Sequence, residues 1–233
     1  MAARNGAGAG LGVTPSLSIL QLDTHFPRIP GDVACPQTYT SDVEIIRTPG
    51  AAVRGIVRQD PAAIDIAPFA AALNTAKGKV IATSCGFLSY WQDHLQSLTA
   101  VPFISSALIS LPRLARTYSP DQLMIVTFDA DALGPAHLAG AQAYQASLVG
   151  LPAKCILRCA IAEDLSFDPH DVTRELVALV QRNMTAKTRH ILFECTNLPP
   201  YSQAIRTATG LPVTSILSEI EKAKPGLVNS AYL

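Results

Sequence analysis

Apolar runs of five to eight residues alternate along the chain with stretches whose apolar residues recur at helical spacing. The run 16–23 (SLSILQLD) ends at an acid and predicts a strand, as does 43–48 (VEIIRT), closed by Pro49-Gly50. Residues 68–76 predict a helix, 79–83 (KVIAT) a strand, and 87–98 a helix with Leu88, Trp91, Leu95 and Leu98 on one stripe. A strand at 101–105 and a helix over 107–117 follow. The pattern then restarts, with a strand at 123–128 (LMIVTF), an Ala-rich helix over 134–148 and a strand over 155–161. A helix over 171–184, capped by Asp168 or His170, turns Val172, Leu176, Leu179 and Val180 inward. A strand at 190–193, a helix over 201–209, a short strand at 211–213 and a last helix at 216–222 complete the series. Strands alternating with helices predict βαβ units and parallel sheets.

The two halves echo each other. Ile19-Leu-Gln-Leu-Asp23 opens the first and Ile125-Val-Thr-Phe-Asp129 the second. Lys79-Val-Ile-Ala-Thr-Ser-Cys85 parallels His190-Ile-Leu-Phe-Glu-Cys195, each a strand that delivers a cysteine to its carboxyl end. Parallel α/β sheets bind ligands beyond those ends. Helix N-termini there favour a thiolate or a substrate carboxylate. Gly86, without a Cβ, lets a ligand approach the main chain, and Thr196 offers a hydroxyl. Two facing halves would set one thiol on each side of a small substrate. One cysteine could take a proton and the other return one on the opposite face, provided their pKa values are pushed apart.

Composition narrows the partners. Eighteen Lys+Arg balance eighteen Asp+Glu, so no electrostatic partner such as nucleic acid or an anionic membrane is expected. Charged residues are 15% and hydrophobic ones 48%, which suits strands buried on both faces. No apolar stretch is long enough for a bilayer span. The Ala- and Gly-rich residues 1–12 are expected to be a flexible tail rather than a signal peptide. Cys35, Cys85, Cys155, Cys159 and Cys195 are expected to be free thiols in a cytoplasmic protein. The spacing of Cys155 and Cys159, with no nearby His, argues for buried structural residues over metal ligands.

Three motifs resemble the aspartate/glutamate racemase superfamily, which includes hydantoin racemases, maleate isomerases and arylmalonate decarboxylases. They are Asp23-Thr24 closing the first strand, Thr83-Ser-Cys-Gly86, and Glu194-Cys-Thr-Asn-Leu-Pro-Pro200. The resemblance covers essentially 16–220. It implies two flavodoxin-like parallel-sheet α/β lobes related by a pseudo-twofold axis, with the active site between them. It assigns 1–15 to a tail, 16–111 plus 202–233 to the first lobe, and 112–201 to the second. It implies no metal or other cofactor, and a possible homodimer.

The expected activity is racemisation or isomerisation of a small carboxylate such as aspartate or glutamate. Cys85 and Cys195 would be catalytic, with Asp23, Thr24, Ser84, Gly86, Thr196 and Asn197 around the substrate. Gly86-Phe87 stands where amino-acid racemases carry Asn-Thr, and Asn197 where they carry His or Glu. Both departures imply weak activity on free L-glutamate. The stretch 20–32 (LQLDTHFPRIPGD) resembles the opening of algal dimethylsulfoniopropionate lyases of the same superfamily. Its alternative is therefore a β-elimination, and a non-catalytic carboxylate-binding protein is a third reading.

Other residues have simpler roles as well. Asp23 could orient a thiol, bind a substrate ammonium or cap a turn, and His25 could line the pocket mouth. Arg28 and Asp32 read as loop and turn residues, and Asp129 and Asp131 as caps. Strand alternation should turn Glu194 away from Cys195, toward a structural hydrogen bond. Phe87, Tyr90 and Trp91 read as helix packing.

Overall fold

The computed structural model describes residues 14–233, so most of the expected tail lies outside the described residues. Pro15 is tied down: its carbonyl accepts the Lys79 N–H at 3.3 Å.

Two four-stranded parallel sheets form the frame. The first contains β1 (Leu17–Leu22), β2 (Val43–Thr48), β3 (Ile81–Thr83) and β4 (Phe103–Ile104), in the order β2-β1-β3-β4. The second contains β5 (Leu123–Thr127), β6 (Leu148–Gly150), β7 (His190–Phe193) and β8 (Val213–Thr214), in the order β6-β5-β7-β8. The orders are identical once β1 is matched to β5, so the weak internal echo is a true architectural repeat. All residues of β1, β5 and β7 are buried, as central strands covered on both faces must be.

The helices are α1 (Val53–Ile56), α2 (Ala67–Leu73), α3 (Gln92–Ser97), α4 (Leu111–Leu114), α5 (Ile156–Glu163), α6 (Pro169–Asn183), α7 (Ser202–Thr209) and α8 (Ile216–Ala223). The Asp168 side chain caps α6, and Val172, Leu176, Leu179 and Val180 are buried on its inner face as the periodicity predicts.

Several expectations change. The run 155–161 is a helix, not a strand. The Cys155 sulfur accepts the Arg158 N–H at 3.4 Å, and Leu157, Ala160 and Ile161 are its buried residues, a spacing of three and four. The Ala-rich stretch 134–148 is not one helix: two 3-10 turns, Pro135–Leu138 and Gln142–Ser147, flank Ala139 and Gly140, both at positive φ. Its last residue, Leu148, instead begins edge strand β6. The first halves of the helices expected over 87–98 and 107–117 are likewise 3-10 turns.

The segment 202–233 does not travel as a block with the first lobe. β8 extends the second sheet beside β7, and Val228 then returns to bridge Tyr39.

Candidate active site

Cys85 follows β3 and Cys195 follows β7, the matched strands of the two sheets. Both thiols are buried and line one cavity between the lobes. Leu22, Val53, Val57, Phe128 and Ile161 supply its apolar wall. The remaining space is about 30 Å³, enough for a water or two, so the cavity must widen to admit a substrate. Asp164, at the end of α5, ties that helix to the loop after β1. It accepts the His25 and Phe26 N–H groups at 2.7 and 3.1 Å and faces the His25 ring at 3.5 Å.

The repeat extends to the local chemistry. In each half the backbone N–H two residues ahead, Phe87 for Cys85 and Asn197 for Cys195, favours the thiolate. Burial nevertheless dominates: it pushes Cys85 up to about 12 and Cys195 well above the ordinary thiol value. The Glu194 carboxyl raises both further. They then differ, because the Arg28 cation favours a Cys85 thiolate whereas Asp32 disfavours one at Cys195.

Of the expected substrate residues, Ser84, Gly86, Thr196 and Asn197 line the cavity, while Asp23 and Thr24 do not. Asp23 accepts the Gly50 N–H at 3.1 Å, a turn cap. Thr24 accepts from Arg28 Nη2 at 2.8 Å. Thr196 ties the lobes together through its hydroxyl, which donates to the Ser84 carbonyl at 2.7 Å. Asp129 pairs with Arg158 and caps Asp131, and neither acid lines the cavity. His25 is bound to Asp164 and does not line the cavity.

Two residues carry more than the sequence suggests. Asp32 is a buried hub, not only a turn residue. It accepts Arg28 Nη1 at 3.2 and 3.3 Å, the Ala34 N–H at 2.8 Å and Asn197 Nδ2 at 2.7 Å. Asn197 in turn presents Oδ1 to the Cys195 thiol at 3.7 Å. Glu194 does make the expected hydrogen bond, accepting from the Thr127 hydroxyl at 2.7 Å, yet it also lines the cavity. β7 ends at Phe193, so strand alternation no longer governs the next side chain. The available signal was the acid itself, directly before the second cysteine in a chain with few charges.

Gly86 makes room for that carboxyl. A Cβ there would lie 2.0 Å from Glu194 Oε1 and 2.4 Å from the Glu194 carbonyl oxygen. Gly86→Ala is therefore expected to cost about 1–3 kcal/mol by overpacking and to close the cavity. Urea denaturation and ligand binding would measure the two effects.

The fold is that of the aspartate/glutamate racemase superfamily. Allantoin racemase from Pseudomonas fluorescens is similar with a TM-score of 0.60 at 16% identity, over 89% of each chain. Arylmalonate decarboxylase is similar with a TM-score of 0.53 at 13% identity, over 90% of this chain and 91% of its own. No family model matches the chain. Dimethylsulfoniopropionate lyase from Durusdinium sp. clade D is 30% identical over 220 residues, 85% of this chain and 70% of that protein. The chain belongs to the dimethylsulfoniopropionate lyase family. Lyase 3 of Emiliania huxleyi is 31% identical over 222 residues, and this family member spans 56% of its length.

For this lyase-family chain the site has a distinctive titration. Burial raises Glu194 from 4.5 to about 7, and its hydrogen bonds only partly offset that. A carboxyl raised on folding stabilises the fold below its unfolded pKa, and that contribution is lost as pH rises through the folded value. His190, pushed down to about 4 by burial, acts oppositely between 4 and its ordinary 6.5. The Glu194→Gln variant isolates the first effect. Its stability relative to wild type is expected to grow by up to about 3 kcal/mol from below pH 4.5 to above pH 7. Denaturation midpoints across that range measure it; an unchanging difference would contradict it.

No group of three or more His, Cys, Asp or Glu among the described residues could hold a metal ion. No described helix is long and apolar enough to cross a membrane.

Proposed function

We propose that this chain is a lyase that cleaves dimethylsulfoniopropionate, or a close onium carboxylate, by cysteine-assisted β-elimination. The observation that supports it most is the pairing of Cys85 and Cys195 across one closed cavity in a chain related to such lyases. The amino-acid racemase expectation loses its footing in the site. Asp23, its candidate for a substrate ammonium, is a turn cap outside the cavity, and Asn197 is held by Asp32.

The thiolate of Cys85 removes a proton from the carbon next to the substrate carboxylate. The C–H electron pair becomes the carbon–carbon double bond as the carbon–sulfur bond breaks. The bonding pair leaves with sulfur, giving neutral dimethyl sulfide, acrylate and one proton on Cys85, later lost to solvent. The Cys195 thiol stays protonated and donates toward the charge that develops on the carboxylate. The apolar wall of Leu22, Val53, Val57 and Ile161 keeps bulk water from the reacting carbon.

The experiment incubates the purified chain with dimethylsulfoniopropionate and, separately, with L-aspartate and L-glutamate in deuterated water. Dimethyl sulfide and acrylate are expected in equal amounts, with no exchange of the amino acids' α-hydrogens. Rapid α-exchange without sulfide release would favour the racemase instead.

A further inference from the structure

Three ionisable side chains line the cavity: Cys85, Cys195 and Glu194; no Lys, Arg or His joins them among the described residues. The Glu194 side chain belongs to a residue only 1% exposed. One of its oxygens, Oε2, is satisfied by Thr127 at 2.7 Å. The other, Oε1, is buried without a partner, on the side that faces Gly86 across the lobe interface. A buried carboxyl oxygen left unpaired is costly unless a ligand meets it.

The surroundings say what kind of ligand. A second negative group on the substrate would lie beside the Glu194 carboxyl with no lining cation to balance it. A primary ammonium would find acceptors only on the side of Ser84, Glu194, Thr196 and Asn197, and would otherwise lie against Leu22, Val53, Val57 and Ile161, which offer its remaining N–H groups no hydrogen bonds. A methylated onium carries its charge under an apolar skin. It suits that wall, to which Phe87 and Phe128 also contribute.

We propose that Glu194 is the specificity residue of this site, its carboxylate binding the methylated onium group of the substrate, with Gly86 left bare to seat it. The placement of the onium opposite the reacting carboxylate rests on the lyase reading; the binding preference does not. Two consequences join the site's parts. A fixed positive charge beside Cys85 and Cys195 offsets the burial that suppresses their ionisation, so the substrate helps to create its own base. The cation also ionises Glu194, a carboxyl that burial alone holds half-protonated near neutral pH.

The test compares two unreactive acids of nearly the same shape, 3-(trimethylammonio)propanoate and neutral-tailed 4,4-dimethylpentanoate, by calorimetry. Wild type is expected to prefer the onium by about tenfold or more. In Glu194→Gln that preference should collapse toward unity while 4,4-dimethylpentanoate binds as before. A preference that survives the substitution, or is absent from wild type, overturns the proposal. A second arm needs no variant: the wild-type preference should rise as pH passes upward through about 7, where the carboxylate forms. A flat ratio overturns the proposal even if the variant fails to fold. Onium preference without dimethyl sulfide release would keep this role for Glu194 and discard the lyase reading. Sulfide release with an onium preference indifferent to Glu194 would do the reverse.

Discussion

Cys85→Ala is expected to lower dimethyl sulfide release by about 10³-fold or more, because it removes the base that starts the elimination. Cys195→Ala is expected to cost less, about 10²-fold, the usual effect of losing one donor to developing negative charge. The asymmetry follows from the charges around each thiol. Arg28 favours ionisation of Cys85, while Asp32 opposes that of Cys195. Racemisation would have required both thiols equally, since one must remove and the other return the proton. Elimination requires one base, because the carbanion collapses by expelling its leaving group. Steady-state rates of both variants, with circular dichroism to confirm folding, decide between the patterns. Equal and complete loss in both would point back to two-base chemistry, and the opposite asymmetry would move the base to Cys195.

Asp32→Ala is expected to destabilise the protein by about 3–5 kcal/mol, the usual cost of stranding the partner of a buried ion pair. The Arg28 and Asp32 side chains are only 11% and 4% exposed, so water cannot replace the lost carboxylate. Arg28 already has one buried unpartnered nitrogen, Nε, and would lose its Asp32 contact as well. The Ala34 N–H and Asn197 Nδ2 would lose their acceptor too. With Asn197 released, the contact that holds the Cys195 thiol would loosen. Asp32→Asn keeps an acceptor and should cost clearly less. Urea unfolding of both variants measures this; a loss below 1 kcal/mol in the alanine variant would show that the hub is not structurally coupled as described.

The frame was legible in the sequence because it depends on local pattern. β2 and β7 fall on their apolar runs residue for residue, and the paired cysteines mark the repeat. What escaped depends on other things. Cys155-Ile-Leu-Arg-Cys-Ala-Ile161 is apolar enough for a strand, and only the Arg158 contact with Asp129 and the cap at Cys155 mark it as helix α5. β6 is three half-buried edge residues, too short and too exposed to stand out.

In the site, Asp32 and Glu194, whose roles the sequence understates, have partners far away in the chain. Asp32 meets Asn197 across 165 positions, and Glu194 meets Thr127 across 67 and Gly86 across the lobe interface. Residue type and local spacing locate thiols at strand ends, but they do not reveal which carboxyl is buried beside them. The departures at Gly86 and Asn197 were visible as oddities. The structure gives each a partner: Glu194 occupies the space that Gly86 leaves, and Asp32 holds Asn197.

The most direct measurement of proton removal uses dimethylsulfoniopropionate deuterated either next to the carboxylate or next to the sulfonium. Wild-type protein is given each in competition with unlabelled substrate, and the isotope content of the released acrylate is followed. If Cys85 removes the proton beside the carboxylate in the step that commits the substrate, deuterium at that carbon should slow sulfide release, and deuterium beside sulfur should leave it nearly unchanged. Indifference to deuterium beside the carboxylate, with sulfide still released, would contradict elimination as the route by which this site acts.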